Sequence, residues 1–263
     1  MKCLFSKPDN YFARCGRLDC AVREWRIDGA PAFLRGLRAL FISDTHVLKR
    51  TTAADIRALA DRAAALAPDV LLLGGDYADR ADDALRLFEV LGELKPPLGA
   101  FGVLGNNDAE AWPDVNDLRM VMARAGVQLL VNEAATLSVN GGRLILGGVD
   151  EHKLGRPDAR GLLPEASAPD AYRVLLSHYP CPPNISCDLM LSGHTHGGQF
   201  NLLGITPYAV GFERIFPPRL PGLCVAGLRE IGDMKLLVSK GIGASRLQLR
   251  FGVKPEINLL IFE

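Results

Sequence analysis

The chain has 263 residues, of which 48% are hydrophobic and 23% charged, and its 30 basic side chains balance its 30 acidic ones. This is ordinary for a soluble globular protein with a sizeable core, and the zero net charge argues against a nucleic-acid partner. No apolar run approaches the roughly 18–20 residues that span a bilayer. We therefore predict a cytoplasmic protein without an obligate protein partner, and a peripheral contact with a membrane stays open as an alternative.

The first half of the chain predicts alternating strands and helices. After an N-terminal arm and first strand region (1–36), a single domain is expected over 37–263. Its elements are a strand in 37–46, a helix over 51–67, a strand in 69–79, a helix over 82–94, a strand in 99–108 and a helix over 114–126. This order is typical of a mostly parallel sheet covered by helices.

The second half has a different pattern. Short β-like runs are separated by glycine and proline, at 143–151, 172–180, 187–196, 223–228 and 234–241. They predict a second sheet that packs on the first.

Five of these strands end in polar residues of the kinds that bind metals. The clusters are SDTH (43–46), GGDYAD (74–79), GNND (105–108), LSHYP (176–180) and SGHTHGGQ (192–199). They contain four of the five histidines of the chain. Because sites in open α/β sheets form at the carboxyl ends of strands, these clusters are expected to converge.

The residue types in the clusters indicate a metal site. The candidate ligands are Asp44, His46, Asp76, Asn106, His178, His194 and His196. Extended D-x-H and H-x-H segments would each present two ligands on one side. Imidazole and carboxylate together suit Zn, Fe or Mn. Seven ligands are too many for one tetrahedral zinc and fit two metals that share a carboxylate, an arrangement common in displacement at phosphorus.

In this order the clusters resemble the calcineurin-like metallophosphoesterase superfamily, over the range from Asp44 to His196. The segment 238–262 is similar to the small bacterial phosphodiesterase branch, which also includes a UDP-2,3-diacylglucosamine diphosphatase. The resemblance implies a four-layer α/β/β/α sandwich, with two mixed sheets flanked by helices. It also implies two divalent metal ions (Mn, Fe or Zn) and hydrolysis of a phosphodiester or pyrophosphate bond by a metal-bridging hydroxide.

The resemblance also assigns a role to each ligand position. Asp44, His46 and His196 would hold one metal, Asn106, His178 and His194 the other, and Asp76 would bridge them. The substrate would be a small-molecule or lipid-linked phosphate. A lipid-linked sugar-nucleotide diphosphatase of the UDP-2,3-diacylglucosamine type is the alternative activity.

The catalytic positions implied by the resemblance are Asp76, Asn107 and Asp108, and Asn107 departs from the family pattern. The family usually has a histidine there, whereas asparagine donates a hydrogen bond but cannot release a proton at neutral pH. Three alternatives remain open: a phosphate leaving group that needs no proton, slow release of alkoxides, or a metal-binding scaffold without turnover. Asp108 would lose the histidine that it orients and bind the Asn107 amide or the backbone instead.

Other features carry weaker expectations. The glycine-rich segment 241–245 predicts backbone turns near the mouth of the site, and His152 is expected on a loop outside the metal pattern. The loop 204–222, with Tyr208, Phe212 and Phe216, is either a packed surface loop or a lid that contacts acyl chains. The six cysteines lack C-x-x-C spacing and are expected to be free thiols.

Overall fold

A computed structural model describes residues 9, 11–14, 16–164, 168–181, 186–210 and 224–263. Phe212 and Phe216 of the predicted loop, as well as Cys3 and Cys15, lie outside these residues. Within them, none of Cys20, Cys181, Cys187 and Cys224 is part of a disulfide. No helix of the described part is long and apolar enough to cross a membrane.

Strands and helices alternate through the first half of the chain. The strands are β1 (Phe12–Arg14), β2 (Ala21–Ile27), β3 (Arg38–Ile42), β4 (Val70–Leu73), β5 (Ala100–Gly102), β6 (Val127–Leu129), β7 (Glu133–Val139), β8 (Gly142–Gly148), β9 (Ala171–Leu176), β10 (Leu189–Ser192), β11 (Gly227–Ile231), β12 (Met234–Val238), β13 (Leu249–Phe251) and β14 (Glu256–Phe262). The helices are α1 (Ala53–Ala65), α2 (Ala81–Leu91), α3 (Asn106–Ala111) and α4 (Val115–Arg124).

The first sheet has the strand order β2-β14-β3-β4-β5-β6. Strands β3 to β6 are parallel, and β14 lies between β2 and β3, parallel to the former and antiparallel to the latter. Strand β3 shows why the sequence of a central strand is apolar on both faces. Leu40 packs toward the helices and Phe41 toward the second sheet, so that neither face of the strand meets water.

The helices of the first half form where local signals place them. In α1, the Thr52 hydroxyl accepts from the Asp55 backbone N–H and the Asp55 carboxylate accepts from the Thr52 N–H, a capping box that starts the helix. Ile56, Leu59 and Ala63 recur at helical spacing and are buried against the sheet. Packing of this face, added to the cap, stabilises the helix.

The predicted second sheet is also confirmed, with the order β11-β12-β10-β9-β8-β7. Its four central strands are parallel and both edge strands antiparallel. The faces of the two sheets enclose one apolar core, which includes Phe41, Val174 and Leu191.

On the outer face of the second sheet, the described residues form a different cover from the flanking helices expected there. Among the described residues this face is covered by irregular segments, including Leu162 and Leu163 packed against Leu175 and Met190, and by no α-helix. The α/β class with two mixed sheets and helices is confirmed, and helices α1, α2 and α4 supply the helical layer over the first sheet.

The two sheets bring their strand ends to one edge of the sandwich. The Asp44 backbone N–H, after β3, donates to Gly75 O after β4 (2.9 Å). The His194 backbone N–H, after β10 of the second sheet, donates to Asp44 Oδ1 (3.0 Å). The edge where β3, β4 and β10 end therefore collects polar residues from both sheets.

Candidate metal centre

The loops that carry the candidate ligands have unusual backbone conformations. Five of the seven ligands have φ in the left-handed region: Asp44 (51°), His46 (40°), Asp76 (53°), His194 (69°) and His196 (52°). The prediction that the D-x-H and H-x-H segments are extended is therefore wrong. Each such residue costs on the order of 1–3 kcal/mol and persists only where surrounding contacts require it.

Two glycines allow the loops to approach this closely. A Cβ atom at Gly105 would overlap the Asp76 carboxylate, and one at Gly193 would overlap the Asp44 carboxylate. Neither neighbour has room to move, because both aspartates are buried. Glycine at these positions lets the loops after β5 and β10 lie directly against the acidic side chains.

Four of the ligand-type side chains form one compact cluster. Asp44, His46, Asp76 and His196 are all buried, and one ligand atom of each lies within 4.8 Å of the others. His46 Nε2 is 3.3 Å from Asp76 Oδ2, and His196 Nε2 is 3.6 Å from Asp44 Oδ1. Two carboxylates and two imidazoles thus converge in a space that suits one cation.

The three remaining ligand candidates lie on the other side of Asp76. His178 Nε2 is 3.5 Å from the same Asp76 Oδ2 that His46 approaches. His194 Nδ1 is 3.1 Å from Asn106 Oδ1, and the His178 and His194 rings lie 5.2 Å apart between centroids. The structure therefore brings all seven predicted ligands together, with Asp76 between the two groups.

The orphaned nitrogens in this cluster fit a metal. His46 Nε2 and His178 Nε2 are buried without a hydrogen-bond partner, and both face Asp76 Oδ2 outside hydrogen-bond geometry. A buried polar atom left unpaired costs about 1–3 kcal/mol. A cation beside Asp76 would satisfy both nitrogens, and the mixed oxygen and nitrogen donors suit Mn, Fe or Zn.

The other nitrogens of these rings are held by neighbours. His46 Nδ1 lies 2.9 Å from Asp79 Oδ1, and His178 Nδ1 lies 2.7 Å from Gly74 O. Such contacts fix the ring orientation and leave Nε2 to face the site, as outer partners of metal-binding histidines do.

The buried Asp76 carboxylate needs a positive charge beside it. Burial alone would lower the pKa of His46, but the carboxylates of Asp76 and Asp79 outweigh it and raise that pKa to about 10. Asp76 likewise overcomes burial and raises the pKa of His178 to about 9. In turn, both imidazoles hold the pKa of Asp76 well below its usual range, against the effect of its burial. Without a cation, protons on the two histidines compensate the buried carboxylate.

His194 and His196 are held neutral. Burial lowers the pKa of His194 to about 3, and the charge of His178 adds to the effect. Burial also lowers the pKa of His196 well below its usual value, with further contributions from His46 and the Arg250 guanidinium. The neutral imidazole is the form that binds a metal.

Asn106 and Asn107 have complementary positions. Asn106 Nδ2 donates to Asn107 Oδ1 (2.7 Å), which leaves Asn106 Oδ1 facing His194 Nδ1 and the Tyr179 hydroxyl. Asn107 Nδ2 lies 3.2 Å from His46 Nδ1, and the Asn107 backbone N–H donates to Asp76 Oδ1 (2.8 Å). Asn107 therefore orients the Asn106 carbonyl toward the site.

Asp108 turns away from the site. Its buried carboxylate accepts from the backbone N–H groups of Asp76 (2.7 Å), Tyr77 (3.0 Å) and Gly105 (2.8 Å). Burial and the neighbouring Asp76 raise its pKa to about 7, although the backbone donors oppose them. These bonds join the loop after β4 to the start of α3.

Sequence reasoning missed Arg250, which is completely buried behind the site. Its guanidinium donates to Lys240 O (2.7 Å), to Gly243 O (2.7 Å) and to His196 O (3.3 Å), and lies 3.1 Å from His196 Nδ1. No local pattern marks it, since its partners come from two separate loops.

The glycine-rich segment 241–245 lies behind the ligands. The backbone N–H groups of Ile242 and Gly243 donate to Asp44 O at 3.2 and 2.7 Å, and both residues are buried. These are the backbone turns expected from the sequence, but they support Asp44 from within and do not line an open mouth.

Two aromatic rings border the Asn106 side of the site. Tyr179 stacks on His194 with ring centroids 3.9 Å apart, and half-buried Tyr208 packs against Tyr179. His152 lies on the irregular segment after β8, with its ring 5.0 Å from that of Tyr179. Of the three aromatic residues named in the loop 204–222, only Tyr208 lies in the described part of the chain, and it packs against Tyr179.

The chain matches a known family and several of its members. The family model described as calcineurin-like phosphoesterase matches residues 37–198. A metallophosphoesterase of Bacillus subtilis, YkuE, is 29% identical over 87% of this chain and 80% of its own length. The phosphodiesterase YaeI of Escherichia coli is 28% identical (85% and 81%), and a metallophosphoesterase of Aquifex aeolicus is 32% identical (72% and 71%).

Proposed function

Because the chain belongs to the calcineurin-like phosphoesterase family and is a metal-dependent phosphoesterase, we propose that it hydrolyses phosphodiester or pyrophosphate bonds with two divalent metal ions. One observation carries the proposal: Asp76 Oδ2 lies between two orphaned imidazole nitrogens that belong to different ligand groups, His46 and His178. A carboxylate in that position is suited to serve two cations at once.

The ligand sets follow from the two groups around Asp76. Asp44, His46, Asp76 and His196 would hold one metal, and Asp76, Asn106, His178 and His194 the second. The metals would be Mn, Fe or Zn, because the donors are imidazole nitrogen and carboxylate or amide oxygen. When bound, they supply Lewis-acid polarisation of the phosphoryl group and lower the pKa of water toward neutrality.

The side chains around the metals prepare the site. The Asp79 carboxylate and the Gly74 carbonyl hold the rings of His46 and His178, and Asn107 turns the Asn106 carbonyl inward. The left-handed loops are fixed by buried backbone bonds, so that little ordering is needed when ligands bind.

The type of leaving group that the site would favour follows from the chemistry of Asn107. Its amide is engaged with Asn106 and His46 and has no proton to give. Losing a general acid costs about 10²–10⁴-fold for leaving groups that need one. We therefore place phosphate and other weakly basic leaving groups ahead of alkoxides. A lipid-linked sugar-nucleotide diphosphatase stays the alternative within this class.

The test is Mn²⁺-dependent hydrolysis of bis(p-nitrophenyl) phosphate, p-nitrophenyl phosphate and a pyrophosphate-linked sugar nucleotide, with metal content measured in parallel. Asp76→Asn is the matched control, since it keeps the size and removes the shared charge. We expect cleavage of the diester or the pyrophosphate by the native chain and none by the variant. Metal-loaded native protein that cleaves none of the three would instead support the scaffold without turnover.

A further inference from the structure

Exposed apolar side chains are concentrated beside the metal centre. Among the described residues, nine large hydrophobic side chains are exposed, and six of them lie on one surface. This apolar patch consists of Phe12, Leu202, Leu203, Ile205, Leu247 and Phe251. Single exposed leucines need no explanation, but a cluster of this size marks an interaction surface.

Backbone pairing makes the patch continuous. Phe12 of β1 lies opposite Phe251 of β13, and their rings are 6.2 Å apart. The Asn201 N–H donates to Phe251 O (2.8 Å), which brings the turn at 202–205 alongside. Gln199 Nε2 donates to Leu247 O (2.7 Å), and this bond links Leu247, the remaining patch residue, to the loop before the turn.

The turn that carries Leu203 is strained. Leu202 and Ile205 exchange backbone hydrogen bonds at 3.0 and 2.9 Å, so Leu203 and Gly204 form a two-residue hairpin loop. Leu203 has φ 54° and Gly204 φ 94°. Such a turn favours asparagine or glycine at the first position, whereas a leucine there costs about 1–2 kcal/mol. Leu203 is also 87% exposed, so the fold gains no core packing in return.

The patch is one layer of residues away from the metal centre. Strand β13 alternates between the two environments: Arg250 is buried and donates to His196 O, whereas the next residue, Phe251, faces solvent. A partner on the patch would therefore be separated from the metal centre only by the layer that contains Arg250.

Most of the charged side chains around the patch are basic, and the acidic Asp9 beside Gly252 is paired with Lys240 (2.8 Å). Of the four basic side chains in residues 239–255, Arg250 is buried and Lys240 is paired, whereas Arg246 and Lys254 are exposed. Residues 197–210 contain no charged side chain. Arg50 adds a further cation, because its guanidinium donates to Gln248 Oε1 (2.9 Å) next to Leu247. The patch is thus apolar with a basic surround, although the whole chain is neutral.

We propose that this patch docks the protein on an anionic lipid bilayer. Exposed leucine and phenylalanine side chains enter the headgroup region, while basic residues are attracted to anionic lipids. A second copy of the chain is a poorer occupant, since a symmetric contact would bring the same basic residues face to face. Nucleic acid would use the cations but would leave the exposed leucines in water.

Docking would hold the metal centre close to the bilayer surface. This consequence rests on the proposed function and favours its lipid-linked substrates. The docking itself does not depend on catalysis, and it can be measured on protein without metal.

The experiment is co-sedimentation of the protein with vesicles of phosphatidylcholine, with and without phosphatidylglycerol. The variants are Leu203→Asn and Leu247→Ser, and Met120→Ser on α4 is the control, because Met120 is also exposed but lies outside the patch. We expect binding to the anionic vesicles that salt weakens. Each patch variant should reduce it by about tenfold, from the lost leucine burial, and Met120→Ser should not change it.

Thermal unfolding and hydrolysis of the soluble diester separate docking from folding and from catalysis. Leu203→Asn should melt at or above the native temperature, because asparagine suits the turn, and both patch variants should keep the native rate. Equal vesicle binding by all variants, or none by the native chain, would overturn the proposal. So would a native dimer that Leu203→Asn dissociates, since the occupant would then be a second copy.

Discussion

Replacing Arg250 by methionine should weaken both the fold and the metal centre. Methionine fills much of the volume but cannot donate, so three carbonyl oxygens lose a donor: those of His196, Lys240 and Gly243. His196 O keeps the Gln199 N–H as a donor, so that two carbonyls are left unpaired. At about 1 kcal/mol for each, the lower end for buried groups, the loss is about 2 kcal/mol. For a chain of this size that corresponds to a fall in Tm of about 4–8 °C.

Calorimetric melting of metal-free protein measures the first effect, and titration with Mn²⁺ measures the second. Because Arg250 also contacts the His196 ring, we expect Mn²⁺ affinity to fall about 10–100-fold. Arg160→Met is the matched control, since Arg160 is fully exposed beside Asp158, and it should change neither value. Arg250→Lys should restore part of both. A Tm within about 1 °C of the native value for Arg250→Met would refute the reasoning, since each unpaired acceptor alone should cost more.

Three further outcomes are expected. Asn107→His supplies the missing acid, so hydrolysis of an alkyl diester should rise by up to about 10²-fold relative to that of bis(p-nitrophenyl) phosphate; an equal change for both esters would contradict the role given to Asn107. Burial raises the pKa of Glu256 in the fold, so its contribution to stability is lost as pH rises above its unfolded value, and Glu256→Gln should melt higher than the native chain at pH 8 but not at pH 4. Saturating Mn²⁺ at about 100 times its Kd should stabilise the native chain by about 2.7 kcal/mol, whereas Asp76→Asn should gain much less in the same melting experiment.

The cluster of candidate ligands could be predicted because the residue types that form it are visible in short local segments. A histidine or aspartate after a short apolar run is visible in the sequence. Helices α1 and α4 carry their own side-chain caps, and α1, α2 and α4 each have an apolar face. The convergence of the strand ends then follows from parallel pairing.

The missed features depend on distant partners. Strand β14 pairs with β2, more than 200 positions earlier in the chain, so its place in the middle of the first sheet has no local signal. Arg250 is a charged residue in a short strand, and only the fold supplies the three carbonyls that justify its burial. The left-handed conformations of Asp44 and His46 are equally invisible, because surrounding contacts impose them on residues that prefer other regions.

The position of Asp76 between the sheets has a consequence for how activity is lost. Its partner His46 follows a strand of the first sheet, and its partner His178 follows a strand of the second. Neither sheet alone carries all the side chains of either proposed ligand set. A slight separation of the two sheets would therefore abolish activity while most of the secondary structure is retained. Turnover then reports whether the two sheets are packed together.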